Sequence, residues 1–98
     1  METAGKSRVT PLGEGALFVT KQMEASSGTS LPRHKASIES VLVVTNGQCN
    51  LRLSDTDHVL KRGDSFIVPA NIWHQITADP EFTAVHIMPK EIQFEFSR

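Results

Sequence analysis

Histidine supplies the side chains in this chain best suited to acid–base chemistry or to metal binding. His34 and His74 lie in segments that combine turn residues with β-branched residues, and His86 follows in a third apolar segment. Neutral imidazole is a common ligand of first-row transition metals, and it exchanges protons near neutral pH. The sequence therefore indicates a histidine-containing site that binds either a metal ion or a small organic molecule.

The residues around His34 and His74 form two spaced patterns that resemble the two signature motifs of the cupin family. The first family motif places two histidines and a glutamate between glycines, and the second places proline, glycine and histidine after a glycine. At the second glycine of the latter motif this chain has Asn71, which tolerates the left-handed backbone that such a turn needs. The matching positions are, in chain order, Gly28, His34, Ala36, Ser40, Gly47, Gly63, Pro69, Asn71 and His74.

The resemblance implies a divalent transition metal, such as nickel, zinc, iron or manganese, held inside the barrel by the motif ligands. Carried over by position, His34 is the first ligand and His74 is the last. Ala36 stands where the family has its second histidine and carries no donor atom, and Ser40 replaces the glutamate with a neutral hydroxyl. Protein metal sites typically use about three or four protein ligands. The expected metal site is therefore incomplete.

His86 is the candidate for a third imidazole. Both faces of its segment, residues 82–88, are largely apolar, so the pattern leaves open which face is buried. One interpretation is a three-histidine metal site formed by His34, His74 and His86. The other is that these histidines are satisfied by hydrogen bonds, or line an organic-ligand pocket together with Ala36 and Ser40, without a metal.

The elements that must position these residues are strands. No window has apolar residues at sustained helical spacing, and short runs rich in β-branched residues alternate with turn residues. Asn46-Gly47 predicts a hairpin turn, because both residues tolerate positive φ, and Asp79-Pro80 predicts another turn. The predicted strands are residues 16–24, 41–45, 49–53, 59–60, 65–69, 74–78, 83–88 and 92–96.

These strands predict an all-β fold, and the resemblance implies an antiparallel jelly-roll (cupin) β-barrel. We expect one barrel domain over residues 8–98, preceded by a disordered segment, residues 1–7. The run 41–44 is apolar without alternation, which indicates that both of its faces are covered. The outer face is covered either by a second subunit in a homodimer or by the N-terminal strand of the same chain.

Composition excludes several classes of function. The formal net charge is −1, and 39% apolar with 21% charged residues is ordinary for a globular domain. We therefore expect no nucleic-acid partner, and no apolar run is long enough to suggest a membrane partner. Cys49 is the single cysteine, so no internal disulfide can form, and a cytoplasmic location is expected.

The first functional hypothesis is a barrel that binds a small molecule, with an incomplete metal site and no established catalysis. The second is a metal-dependent oxygenase or isomerase that uses His34, His74 and His86. The third is a sensor or interaction module. Resemblance to a fold that supports many activities does not decide among the three.

Overall fold

The computed structural model describes residues 6–97 as one curled antiparallel sheet of eight strands. This architecture confirms the predicted all-β jelly-roll barrel. Residues 6–97 contain no helix that could span a membrane. The predicted disordered segment 1–7 lies mostly outside the described residues, and its last residue, Ser7, begins a strand. The strands are β1 (Ser7–Glu14), β2 (Phe18–Ala25), β3 (His34–Ala36), β4 (Ser40–Leu53), β5 (Thr56–Lys61), β6 (Ser65–Val68), β7 (His74–Pro89) and β8 (Phe94–Phe96).

The two long strands, β4 and β7, hold the barrel together. They pair with each other along most of their length. The first part of β4 also pairs with β6, and its second part pairs with β5. The second part of β7 pairs with β2, and its first residue pairs with β3. One wall therefore contains β1, β2, β7, β4 and β6, and the other contains β5, β4, β7, β3 and β8.

The hairpin prediction at Asn46-Gly47 is wrong. Asn46 and Gly47 lie inside the continuous strand β4, next to shifts in its register with β7. Gly47 does adopt a positive φ of 74°, but the left-handed residue bends the strand at a bulge and does not reverse the chain. The Asp79-Pro80 pair likewise lies within β7. Four of the predicted strands therefore form two long, bent strands. The predicted strands 41–45 and 49–53 are both parts of β4, and 74–78 and 83–88 are both parts of β7.

Two of the described strands were not predicted. β1 contains Pro11 and Gly13, which weaken a strand signal, but it is an edge strand, where proline is tolerated. Its register with β2 shifts between these two residues. β3 has only three residues, which is too short for an alternating pattern to be recognised.

The core lies between the two walls and is built from alternate residues of the long strands. Leu42 and Val44 of β4 are fully buried, whereas Val41 and Val43 are only half-buried and face outward. β1 pairs with β2 and not over this outer face, so the described N-terminal strand does not cover Val41 and Val43. Cys49 is also buried, and burial raises the pKa of its thiol to about 11, which makes it an unreactive core residue.

The bend in β4 can be tested with a matched pair of glycine substitutions. Gly47 and Gly63 both have positive φ, 74° and 92°, which costs an alanine about 1–2 kcal/mol. Only at Gly47 would the new methyl group overlap backbone atoms, those of Glu81 and Phe82, whereas Gly63 has open space. We therefore expect Gly47→Ala to lower the free energy of unfolding clearly more than Gly63→Ala in urea titrations followed by circular dichroism. Equal losses would contradict the close contact of the two strands.

Candidate functional site

Three histidines face one another on the inner surface of the barrel, and we call His34, His74 and His86 the histidine cluster. His34 and His74 are paired in register between β3 and β7, and their ring centroids lie 4.4 Å apart in an edge-to-face arrangement. His86 shares the inward face of β7 with the buried residues Ala84 and Met88. It lies close enough to both other imidazoles for their charge to act on it.

Backbone carbonyl groups set the orientation of two of these rings. Nδ1 of His34 lies 2.9 Å from the carbonyl oxygen of Pro32, and Nδ1 of His74 lies 3.0 Å from that of Ile72. Because a carbonyl oxygen only accepts, each Nδ1 must carry the proton and donate it. In the neutral state Nε2 of both rings is then an acceptor, free to take a proton from a ligand or to bind a metal.

The third ring is held differently, by Ser40. The Oγ atom of this buried serine lies 2.7 Å from Nε2 of His86. Ser40 stands where the first motif of the resembled family has its glutamate, so that position does face the site, but it supplies a neutral hydroxyl to His86. Ala36 is also buried in β3 and adds no polar atom, and Glu39 is exposed.

Burial keeps the deeper imidazoles uncharged. It lowers the pKa of His86 to about 4, with smaller contributions from the positive charges of His34, His74 and Lys21. Burial also lowers the pKa of His74, partly opposed by its hydrogen bond to Ile72. At neutral pH His74 and His86 are therefore neutral.

Lys21 is a residue of the site that sequence reasoning missed. It lies in β2 as the register partner of His86, on the same face of the sheet, and it is half-buried. A signal was available, because on this face of β2 the lysine alternates with apolar neighbours, Val19 and Met23. Among residues 6–97 Lys21 has no ion-pair partner; the ion pairs there are Arg8–Glu24, Lys35–Glu95, Arg52–Asp57 and Lys90–Glu14.

Two aromatic rings of β8 form the rim of the site, and they too were missed. The centroids of Phe94 and Phe96 lie 5.4 and 5.3 Å from that of His34, and Phe94 lies 6.4 Å from His86. Phe94 is 38% exposed and Phe96 is 58% exposed. β8 pairs with β3, a partnership that alternation within one segment cannot reveal. The histidine cluster is therefore bordered by accessible aromatic surface.

The residues present do not fit a divalent metal site of the kind that the family motif describes. Within the described range 6–97, no group of three or more His, Cys, Asp or Glu side chains is arranged to hold a metal ion. Nε2 of His86 is engaged with Ser40, and the two motif ligands other than His34 and His74 are replaced by Ala36 and Ser40. Only the Nε2 atoms of His34 and His74 are available without rearrangement, which is too few for tight binding.

Comparisons with known proteins agree with this architecture. The family model described as Cupin domain matches residues 21–88. A cupin superfamily protein from Desulfitobacterium hafniense DCB-2 has a TM-score of 0.79 at 17% identity, covering 91% of this chain and 83% of that chain. The polyketide cyclase RemF from Streptomyces resistomycificus has a TM-score of 0.84 at 19% identity, covering 94% and 71%.

A third similar structure is a mutant salicylate 1,2-dioxygenase from Pseudoaminobacter salicylatoxidans in complex with gentisate. Its TM-score is 0.84 at 13% identity, and the match covers 93% of this chain but only 29% of that chain. A search of the curated proteins found none that matches this sequence. At these identities the structural matches show a shared fold.

The burial of His86 predicts a specific loss of stability in acid. An unfolded histidine has a pKa of about 6.5, and the folded pKa of about 4 means that the unfolded state binds more protons between these values. The stability from the neutral ring is therefore fully present above about pH 6.5 and is lost as pH falls toward 4. Between pH 6.5 and pH 4 we expect the free energy of unfolding of the wild type to fall by roughly 3 kcal/mol more than that of His86→Gln.

Urea unfolding at a series of pH values measures this difference. Ser40→Ala is the control, because it removes the hydrogen bond to His86 but leaves the titrating ring in place. Ser40→Ala should lower the free energy of unfolding at every pH, but that free energy should vary with pH as steeply as it does in the wild type. A His86→Gln variant with the same pH dependence as the wild type would contradict the assignment.

Proposed function

The chain belongs to the cupin family, and from this premise we propose that it binds a small organic molecule at the histidine cluster, with an incomplete metal site and no established catalysis. The observation that carries the proposal is the convergence of three inward-facing imidazoles beside the exposed rings of Phe94 and Phe96. Ligand sites in proteins commonly combine apolar walls with a few polar groups that fix orientation. The free Nε2 atoms of His34 and His74 are such groups.

A solved structure of this fold supports the proposal that the ligand is a small molecule. The salicylate 1,2-dioxygenase that resembles this chain is in complex with gentisate, a small molecule. Binding without catalysis is favoured because the metal ligands expected at Ala36 and Ser40 are missing. The remaining polar groups are imidazoles, whose unprotonated nitrogen atoms can accept hydrogen bonds from a ligand.

A ligand-detected NMR screen with a library of small polar and aromatic compounds tests this proposal. We expect compounds that bind the wild type to bind His34→Gln at least tenfold more weakly, because the substitution removes one imidazole acceptor and its contact with the aromatic rim. His58→Gln is the matched control, since His58 contacts Phe66 on the β5–β6 side of the barrel. Equal loss in both variants, or no loss in His34→Gln, would exclude the histidine cluster as the binding site.

The second candidate function is a metal-dependent oxygenase or isomerase with nickel, zinc, iron or manganese. It is favoured by one observation, the Nδ1 hydrogen bonds that leave Nε2 of His34 and His74 free. The same NMR samples can be titrated with nickel, zinc and iron(II). Metal binding that is lost in His74→Ala would favour this candidate, and binding that is equal in both proteins would remove His74 from any metal site.

We also propose that the outer face of β4 is the interface of a homodimer. Val41 and Val43 are register partners of Ile87 and Val85 in β7, and Val41 also pairs with Ile67 in β6. These five side chains form an apolar patch across three strands, and Ile67 is 54% exposed. A second copy of the same patch is complementary to it, as in the symmetric dimers that are the commonest closed oligomers.

Sedimentation equilibrium at micromolar concentration should give a mass twice that of the 10.8 kDa chain. Ile67→Asp should give monomer, because it places a charge in the apolar patch. Val59→Asp is the control, as Val59 has the same exposure, 55%, on β5 outside the patch. A monomeric wild type, or equal dissociation by both substitutions, would contradict this interface.

A further inference from the structure

A cavity that the proposed function does not use opens beside the histidine cluster, between β3, β8 and the turn at residues 70–71. Its volume is about 350 Å³, within the range of about 300–1,000 Å³ that is usual for small-molecule pockets. Ala36 and Phe94 border both this cavity and the cluster. The polar lining comes from other residues, Ser37, Asn71 and Gln93. The cavity therefore brings together hydrogen-bonding groups that differ from the imidazoles of the cluster.

Hydrogen bonds of the backbone hold the walls of this cavity in place. The N–H group of Asn71 donates to the carbonyl oxygen of Ala36 at 2.7 Å, which ties the turn to β3. The N–H group of Ser37 donates to the carbonyl oxygen of Gln93 at 2.9 Å. The N–H group of Gln93 in turn donates to Oγ of Ser37 at 2.9 Å. Because the walls are already ordered, a ligand that enters the cavity loses little free energy in organising them.

Two carboxamide side chains in the lining are available to a ligand. Among residues 6–97, the carboxamides that hydrogen-bond to protein groups are those of Asn50 and Gln75. Asn71 and Gln93 are exposed. A carboxamide carries a donor and an acceptor side by side. It therefore matches a ligand edge on which an acceptor and a donor are adjacent, as asparagine and glutamine match the edge of adenine.

The two charged residues of the lining balance each other. Lys35 and Glu95 are register partners between β3 and β8, and Nζ of the lysine lies 3.9 Å from Oε1 of the glutamate. The same Nζ lies over the ring of Trp73, 5.0 Å from its centroid. An anionic ligand would be repelled by Glu95, and a cationic ligand would be repelled by Lys35. The cavity therefore favours a neutral ligand.

The apolar part of the lining favours a flat ligand. Phe94 lines the cavity and is 38% exposed, and a planar ring packs favourably against a phenyl ring, either offset and stacked or edge to face. Ala36 is the register partner of Phe94. Its methyl group takes up less space than the histidine that the family motif has at this position. The loss of that metal ligand therefore leaves room beside Phe94.

We infer that this cavity binds a free nucleobase, whose edge hydrogen-bonds to the carboxamides of Asn71 and Gln93 and whose face packs against Phe94. The polar groups of this site are separate from the imidazoles, so the inference does not depend on ligand binding at the histidine cluster. The occupant is a base and not a nucleic acid, because a chain with a formal net charge of −1 has no excess of positive charge for phosphate groups.

Calorimetry on the full-length protein tests this inference with adenine and cytosine as probes. Each base is compared with the analogue that keeps its ring but lacks the amino donor, which is purine for adenine and the unsubstituted pyrimidinone for cytosine. In the wild type at least one base should bind tenfold or more tightly than its analogue, because the analogue leaves a carboxamide oxygen without a donor.

Variants of the two carboxamide residues locate the binding site. Gln93→Met removes one carboxamide at similar length, and Asn71→Gly removes the other at a position where φ is 61°, which glycine adopts readily. Each should weaken binding of the base about tenfold. Gln22→Met is the matched control, because Gln22 lies in β2 outside the cavity, and it should bind the base as tightly as the wild type does.

The outcomes separate this site from the histidine cluster. Absence of binding by both bases, or equal affinity of base and analogue, overturns the inference, and this comparison needs only the wild type. Binding that is lost in His34→Gln but kept in Gln93→Met also overturns it, because the base would then lie at the cluster. Binding that is weakened in Gln93→Met and Asn71→Gly but kept in His34→Gln and Gln22→Met supports it.

Discussion

The close contact of β4 with β7 where both strands bend is the constraint on which the rest of the structure depends. Gly47 lies against the backbone of Glu81 and Phe82, at a point where any side chain would separate the two strands. The bend lets each strand contribute to both walls of the barrel. Because His74 and His86 lie on the same strand, on either side of this region, the bend also directs them into one site.

The chemistry of the site depends on two positions that lack the metal ligands of the family motif. Ala36 and Ser40 occupy buried positions facing the histidine cluster, where the cupin motif has a histidine and a glutamate. Without the carboxylate there is no negative charge to balance a divalent cation, and Ser40 engages the ring that would serve as a third ligand. Burial then favours the neutral form of His86. Within residues 6–97, Lys21 is the charged residue that acts on His86 besides the other two imidazoles.

The wall formed by β1, β2, β7, β4 and β6 has two faces that carry different sets of residues. Its inner face carries His86 and Lys21, whereas its outer face carries the apolar patch around Val41 and Val43. Alternation along β4 and β7 keeps the two sets apart, because successive side chains point to opposite faces. The proposed dimer contact and the proposed ligand site can therefore exist together in one protein without competing for residues.

Much of this arrangement can be predicted from the sequence. Short β-branched runs and turn residues determine the all-β class, and the two motif spacings identify His34 and His74 as partners. Asn71, expected from its tolerance of left-handed backbone to keep the turn of the second motif, does have a positive φ of 61°. These features are local, because they depend on a residue's own conformational preferences or on its distance along the chain.

Only the tertiary structure decided the rest. The inward direction of His86, the approach of Lys21 to it and the position of Phe94 depend on pairings between strands distant in sequence. Gly47 is a second example. Its positive φ was predicted correctly from the sequence, but it lies in a bend and not in a hairpin because its strand packs against Glu81. The face that a strand residue presents is set by its register with a partner strand, and a single sequence does not contain that register.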